Sequence, residues 1–115
     1  LWIVLLCAAG AMAFSRGYPP TVLNNTSGVV DVTARLGGHT AAFSLAPHTN
    51  FVEGTPNLRL AELSIRYASG RTLKFTSDQL DTIRRRTPVA NELWVIRLAG
   101  VDLFDSREWR RFQIR

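Results

Sequence analysis

A small, mainly β domain, built as an antiparallel sandwich or barrel with one short helix, is the architecture this sequence predicts. Apolar side chains recur at every second position through 30–36, 41–45, 63–67 and 73–75, the period of strands with one wet face. Gly, Pro and Asn turns break the chain between these runs, as short-stranded β folds require. Only one stretch, beginning at Thr76, couples a helix-start signal to helical spacing.

The first fourteen residues carry no charge. Leu1 to Ala9 form an apolar core and Ala11-Met12-Ala13 a small-x-small site, so residues 1–13 are expected to be a secretory signal cleaved before Phe14. Its basic start is expected upstream of Leu1. Lipidation at Cys7 is less favoured, because Leu6 stands where that processing takes a small side chain. A retained anchor needs about 20 apolar residues, more than are visible before Ser15 and Arg16. Residues 14–20 then read as an extended leader, since Pro19 and Pro20 hold the backbone away from helix.

The β domain is expected over 21–105. Val30, Val32, Ala34 and Leu36 alternate with Asp31, Thr33 and Arg35, Gly37-Gly38 offers a turn, and Ala41, Phe43 and Leu45 continue the phase, so 29–46 form a hairpin. A short strand follows at Thr49–Glu53, ended by the turn Gly54-Thr55-Pro56-Asn57. A second hairpin sets Leu63, Ile65 and Tyr67 against Leu73 and Phe75 around Ser69-Gly70. Leu58 and Leu60 are out of phase with Leu63, which either a bulge near Ala61 or a strand that begins only after it reconciles. Thr76 and Gln79 have capping-box spacing, Leu80 and Ile83 share a helical face, and Pro88 limits the helix to two or three turns. The run Glu92 to Leu98 is almost continuously apolar, as in a strand covered on both faces, and Val101 to Phe104 pair back through Ala99-Gly100. Val32, Phe43, Ile65, Phe75 and Trp94 are the expected core. Taken together, "TVLNNTSGVVDVTARL" and "FSLAPHT" resemble immunoglobulin-like envelope modules in general architecture. No particular family follows from them.

After Ala13, 102 residues remain, without cysteine. A domain of that kind has no disulfide, thiolate metal site or cysteine nucleophile, and its stability rests on packing. The net charge is +5, and thirteen of the fourteen basic residues are Arg, with Lys74 the exception. Guanidinium groups favour anionic partners. For an exported protein these are envelope surfaces or acidic proteins; nucleic acid is not expected, nor is a membrane span after cleavage.

Chemistry-bearing motifs are sparse. His39 and His48 are the only histidines, and a strand between them would hold them about 27–30 Å apart. Asp78 and Asp81 could pair, but Asp in a first helical turn is already explained by the helix dipole. No G-x-S-x-G turn or phosphate loop occurs, and no metal or other cofactor is expected. Asn24-Asn25-Thr26-Ser27 holds two overlapping glycosylation sequons. The densest basic run, Arg84-Arg85-Arg86, suits a helix C-terminus and could also dock an anion. The tail 106–115 interleaves Arg107, Arg110, Arg111 and Arg115 with Trp109, Phe112 and Ile114, a mixture suited to membrane or partner binding, or to packing back on the domain. The expected function is that of an exported periplasmic or secreted accessory module that binds a protein partner or an anionic envelope surface through Arg84, Arg85, Arg86, Arg107, Trp109, Arg110 and Arg111. A metal-binding protein or hydrolytic enzyme using His39 and His48 is the alternative.

Overall fold

A computed structural model of the protein describes residues 20–52 and 59–112. The expected signal at 1–13, most of the leader, Glu53 and the 54–57 turn, Leu58, and Ile114 and Arg115 of the tail lie outside the described residues. The alternating runs become strands β1 (Thr21–Asn24), β2 (Val30–Leu36), β3 (His39–Leu45), β4 (Asn50–Val52), β5 (Leu60–Arg66) and β6 (Thr72–Phe75). Helix α1 (Ser77–Arg86), strands β7 (Glu92–Arg97) and β8 (Gly100–Asp105) and a 3₁₀ segment (Ser106–Phe112) complete the described chain.

Two four-stranded sheets result, one in the order β4-β1-β7-β8 and the other β3-β2-β5-β6. The fold is thus mainly β and sandwich-like; the two sheets do not close into a barrel. One pairing departs from the antiparallel expectation: β1 runs parallel to β7, with Val22 opposite Trp94.

Both hairpins form where the alternation places them. Leu36 pairs with His39 around the two-glycine loop, and Gly37 takes φ 60° there, a conformation that costs Gly nothing sterically. In the β2–β5 ladder Arg35 pairs with Glu62 but Leu36 with Leu60. Ala61 is therefore the extra residue of a bulge, which turns both Leu60 and Leu63 inward, at 0% and 1% exposure. At the second turn the Tyr67 hydroxyl donates to Arg97 O at 2.5 Å, and Arg71 Nη2 donates to Leu98 O, so this hairpin holds the β7–β8 turn in the opposite sheet.

The principal core between the sheets contains Val22, Val30, Val32, Leu63, Ile65, Leu80, Trp94 and Ile96. Leu23, Leu93 and Val95 project from the other face of the β1–β7 sheet and are covered by Phe112, with Phe104 alongside. Burial on both faces accounts for the unbroken apolar run of β7. Val32, Ile65 and Trp94 are buried as expected. Phe43 and Phe75 are only half-buried; both contact the core, but they lie on β3 and β6, the two edges of their sheet, where no further strand covers them.

Helix α1 starts on the expected capping box. Thr76 Oγ1 accepts from Gln79 N at 3.3 Å, and Gln79 Oε1 accepts from Thr76 N at 2.8 Å. Leu80 enters the core, and the helix packs against β5, β6 and β8. It thereby covers the side of the sandwich where the β6 and β8 edges meet.

Candidate functional site

The expected binding residues fall into two groups separated in sequence, and Arg84 behaves unlike the rest. Its side chain is 12% exposed and every guanidinium nitrogen is engaged. Nε donates to Glu92 Oε2 at 2.8 Å, Nη1 to Asp81 Oδ1 at 2.8 Å, and Nη2 to Leu60 O at 2.7 Å and Glu92 Oε1 at 3.2 Å. The same Glu92 oxygen accepts from Trp94 Nε1 at 3.0 Å, and the guanidinium lies 5.2 Å from the Trp94 ring centre. Arg84 therefore clamps α1 to β5 and β7. Its donors are committed to the fold rather than to an external anion. The spacing of Asp81 and Arg84 was a local hint of this; Glu92, across the Pro88 turn, was not.

Arg59 also pairs with Asp81. The Arg59 and then the Arg84 hydrogen bonds hold the Asp81 carboxyl below the ordinary value near 3.8. Asp105 is lowered too, first by the Arg107 backbone N–H and then by its side chain. For carboxyls lowered by folding, the stabilisation is present above the unfolded value and lost as pH falls through the folded one. Stability should therefore decline below about pH 3.8. In acid titrations followed by circular dichroism, Asp81→Asn is expected to show a shallower decline than the parent; an identical decline would remove Asp81 as a contributor.

Arg85 and Arg86 are exposed at the end of α1, with Arg85 Nη2 donating to Thr82 Oγ1 at 3.1 Å. Arg86 lines a groove of about 690 Å³ whose lining also includes Phe104 and Glu108. This groove brings the helix end and the 3₁₀ segment to one side of the molecule. Within the 3₁₀ segment, Arg111 is spent locally. It pairs with Glu108 at 2.5 Å and its guanidinium lies 5.4 Å from the Phe104 ring centre and 5.7 Å from that of Phe112. Arg107 pairs with Asp105 at 3.0 Å yet keeps 85% of its side chain exposed. Arg110 is exposed and stands 5.8 Å from the Trp109 ring centre.

Phe112 docks while Trp109 does not: they are 8% and 40% exposed. The tail thus divides the two roles open to its aromatics, one anchoring the segment on Leu23, Leu93 and Val95 and the other left outside. Beside Trp109 runs a groove of about 560 Å³ whose lining includes Val52, Asn91, Leu93 and Arg107. Val52 is 49% exposed. Asn91 Oδ1 is buried and has no hydrogen-bond partner among the described residues. An apolar floor, an indole wall and the exposed cation Arg107, with Arg110 against the indole, make this the best-developed binding surface described.

The histidines are not brought together. His39 begins β3 and His48 lies beyond its other end. His48 is a brace: with φ 62°, its N–H donates to Asn24 O at 2.7 Å, and its Nδ1 stands 3.1 Å from Phe112 O, to which it donates in the Nδ1-protonated form. No group of three or more His, Cys, Asp or Glu among the described residues is placed to hold a metal ion, and no described helix is long and apolar enough to cross a membrane. Of the two sequons, Asn24 is fully buried with its amide engaged in the chain, so the folded domain cannot present it for modification; Asn25 is half-buried.

The chain matches no protein-family model, no curated protein and no solved structure.

Proposed function

We propose that this protein is a small exported binding module of the envelope or extracellular space, which takes an anionic partner surface on the side formed by the 3₁₀ segment and the end of α1. The observation that carries this is the groove beside Trp109, where a 40%-exposed indole and Val52 lie next to the exposed cations Arg107 and Arg110. Large apolar groups left in water next to cations suit a partner that offers both apolar and anionic groups. The uncharged opening of the sequence, with its Ala11-Met12-Ala13 site, supports export. Arg86 reaches the 3₁₀ segment through a second groove that it shares with Glu108, whereas Arg84 serves the fold.

Each exposed Arg near an anionic membrane contributes about 1 kcal/mol, weakened by salt. In vesicle sedimentation the protein is expected to bind anionic vesicles at low salt, to release at high salt, and to ignore neutral ones. Trp109→Ala and Arg110→Ala should each weaken that binding. Equal binding to both vesicle types, or none to either, would overturn the anionic-surface proposal.

A further inference from the structure

Sheet edges expose unpaired backbone groups, and proteins ordinarily protect them by shortness, charge, proline or a covering element. Three of the four edges follow that rule. Strand β4 has three residues and β6 four; β8 carries Asp102 and Asp105; and α1 packs on both β6 and β8. Strand β3 does not follow it. It runs seven residues, His-Thr-Ala-Ala-Phe-Ser-Leu, with no acidic residue, lysine, arginine or proline, and no described strand lies beyond it in its sheet. On that side, among the described residues, the sandwich is closed by Phe43 stacked on Phe51, 3.9 Å between ring centres, both half-buried.

We propose that two copies of this chain pair through β3, antiparallel about a two-fold axis at Ala42, to form one continuous eight-stranded sheet. The sequence of the edge fits itself in that register. The two-residue loop closes on the Leu36–His39 pair, which turns the backbone groups of Thr40, Ala42 and Ser44 away from β2. Two-fold symmetry at Ala42 sets Thr40 opposite Ser44 of the second copy and Ala42 opposite its own equivalent, so outward-facing donors and acceptors meet their counterparts. On the inner face Phe43 stands opposite Ala41 of the second copy, large against small, and the Phe43–Phe51 stack loses its exposure.

Charge favours the same orientation. Behind Ser44 lies Asp31, which accepts its hydroxyl at 2.6 Å, and behind Thr40 lies Arg35. An antiparallel pairing therefore sets Asp31 of each copy toward Arg35 of the other, which on its far side also pairs with Glu62 at 3.4 Å. A parallel pairing would align like with like. This interface is separate from the Trp109 groove, and its test does not depend on that proposal.

The full chain should sediment as a concentration-dependent dimer. Ala42→Lys, at an exposed position that a single copy tolerates, sets two ammonium groups face to face and should give a monomer with an unchanged circular dichroism spectrum. In a Cys7→Ser background, Ala42→Cys should form a disulfide-linked dimer under mild oxidation, since opposed residues of a hydrogen-bonded pair lie about 5.5 Å apart. Thr33→Cys, one strand in from the edge on the same face, should not. A parent chain that stays monomeric at its highest soluble concentration, an Ala42→Lys variant that dimerises as well as the parent, or equal cross-linking of the two cysteine variants would overturn the proposal.

Discussion

Replacing Trp94 with alanine is expected to cost about 3–5 kcal/mol of unfolding free energy, measured by urea denaturation. That is a large part of the roughly 5–15 kcal/mol that holds an ordinary domain together. The indole is fully buried and stands in β7, between sheet neighbours β1 and β8, so little can collapse into the space it leaves. The loss should lie toward the upper end, because Trp94 Nε1 and the Arg84 guanidinium converge on Glu92. Removing the indole strips Glu92 of one donor and Arg84 of the ring it lies against. A double-mutant cycle with Arg84→Ala should consequently show a coupling of about 0.5–3 kcal/mol, as expected of contacting residues. A loss below about 1 kcal/mol for Trp94→Ala would mean that the site is neither closed nor tied to the helix clamp.

The ease of reading Trp94 from sequence, and the difficulty of reading Arg84, have one cause. Strand phase, turn chemistry and capping are written within a few residues, and the two hairpins, the Ala61 bulge, the Thr76–Gln79 cap and the doubly covered β7 were legible for that reason. Sheet order is not local. The apolar phase assigns Phe43 and Phe75 to the core face, but only the order β3-β2-β5-β6 shows that both stand at edges and stay half-exposed. The parallel insertion of β1 beside β7 is equally non-local. At the candidate site, the composition of the basic aromatic tail was legible. The division of labour within it was not, because it depends on which ring reaches Leu23 and Val95 across the sheet. Likewise, Arg84 looked like its neighbours Arg85 and Arg86 until the Pro88 turn brought Glu92 back to it.

Asn24→Ala is the second substitution expected to be severe, again about 3–5 kcal/mol, since each buried polar group left without a partner costs about 1–3 kcal/mol. The side chain is fully buried where the chain leaves β1 and crosses to the opposite sheet. Its Nδ2 donates to Gly28 O at 2.8 Å and to Leu45 O at 2.9 Å. Its Oδ1 accepts from Thr26 N at 2.9 Å and Thr26 Oγ1 at 2.7 Å. Alanine leaves these groups facing a void, partly relieved because Thr26 Oγ1 turns its one proton to Gly28 O, 3.0 Å away. Asn24→Asp separates hydrogen bonding from volume. It preserves shape and the acceptor for Thr26, but an ionised carboxylate cannot donate to the two carbonyls, so at neutral pH it should be as damaging as alanine. Burial against carbonyl oxygens raises the folded pKa of that carboxyl above its unfolded value near 3.9. The penalty of the Asn24→Asp variant is therefore greatest at high pH and shrinks as pH falls through the raised folded value, where the protonated acid regains one donor. Denaturation of both variants between about pH 4 and pH 8, the range that spans this titration, decides it. The gap between the Asn24→Asp variant and the parent should narrow toward acid while that of the alanine variant stays flat, and parallel behaviour of the two would show that the amide donors do not hold this crossing.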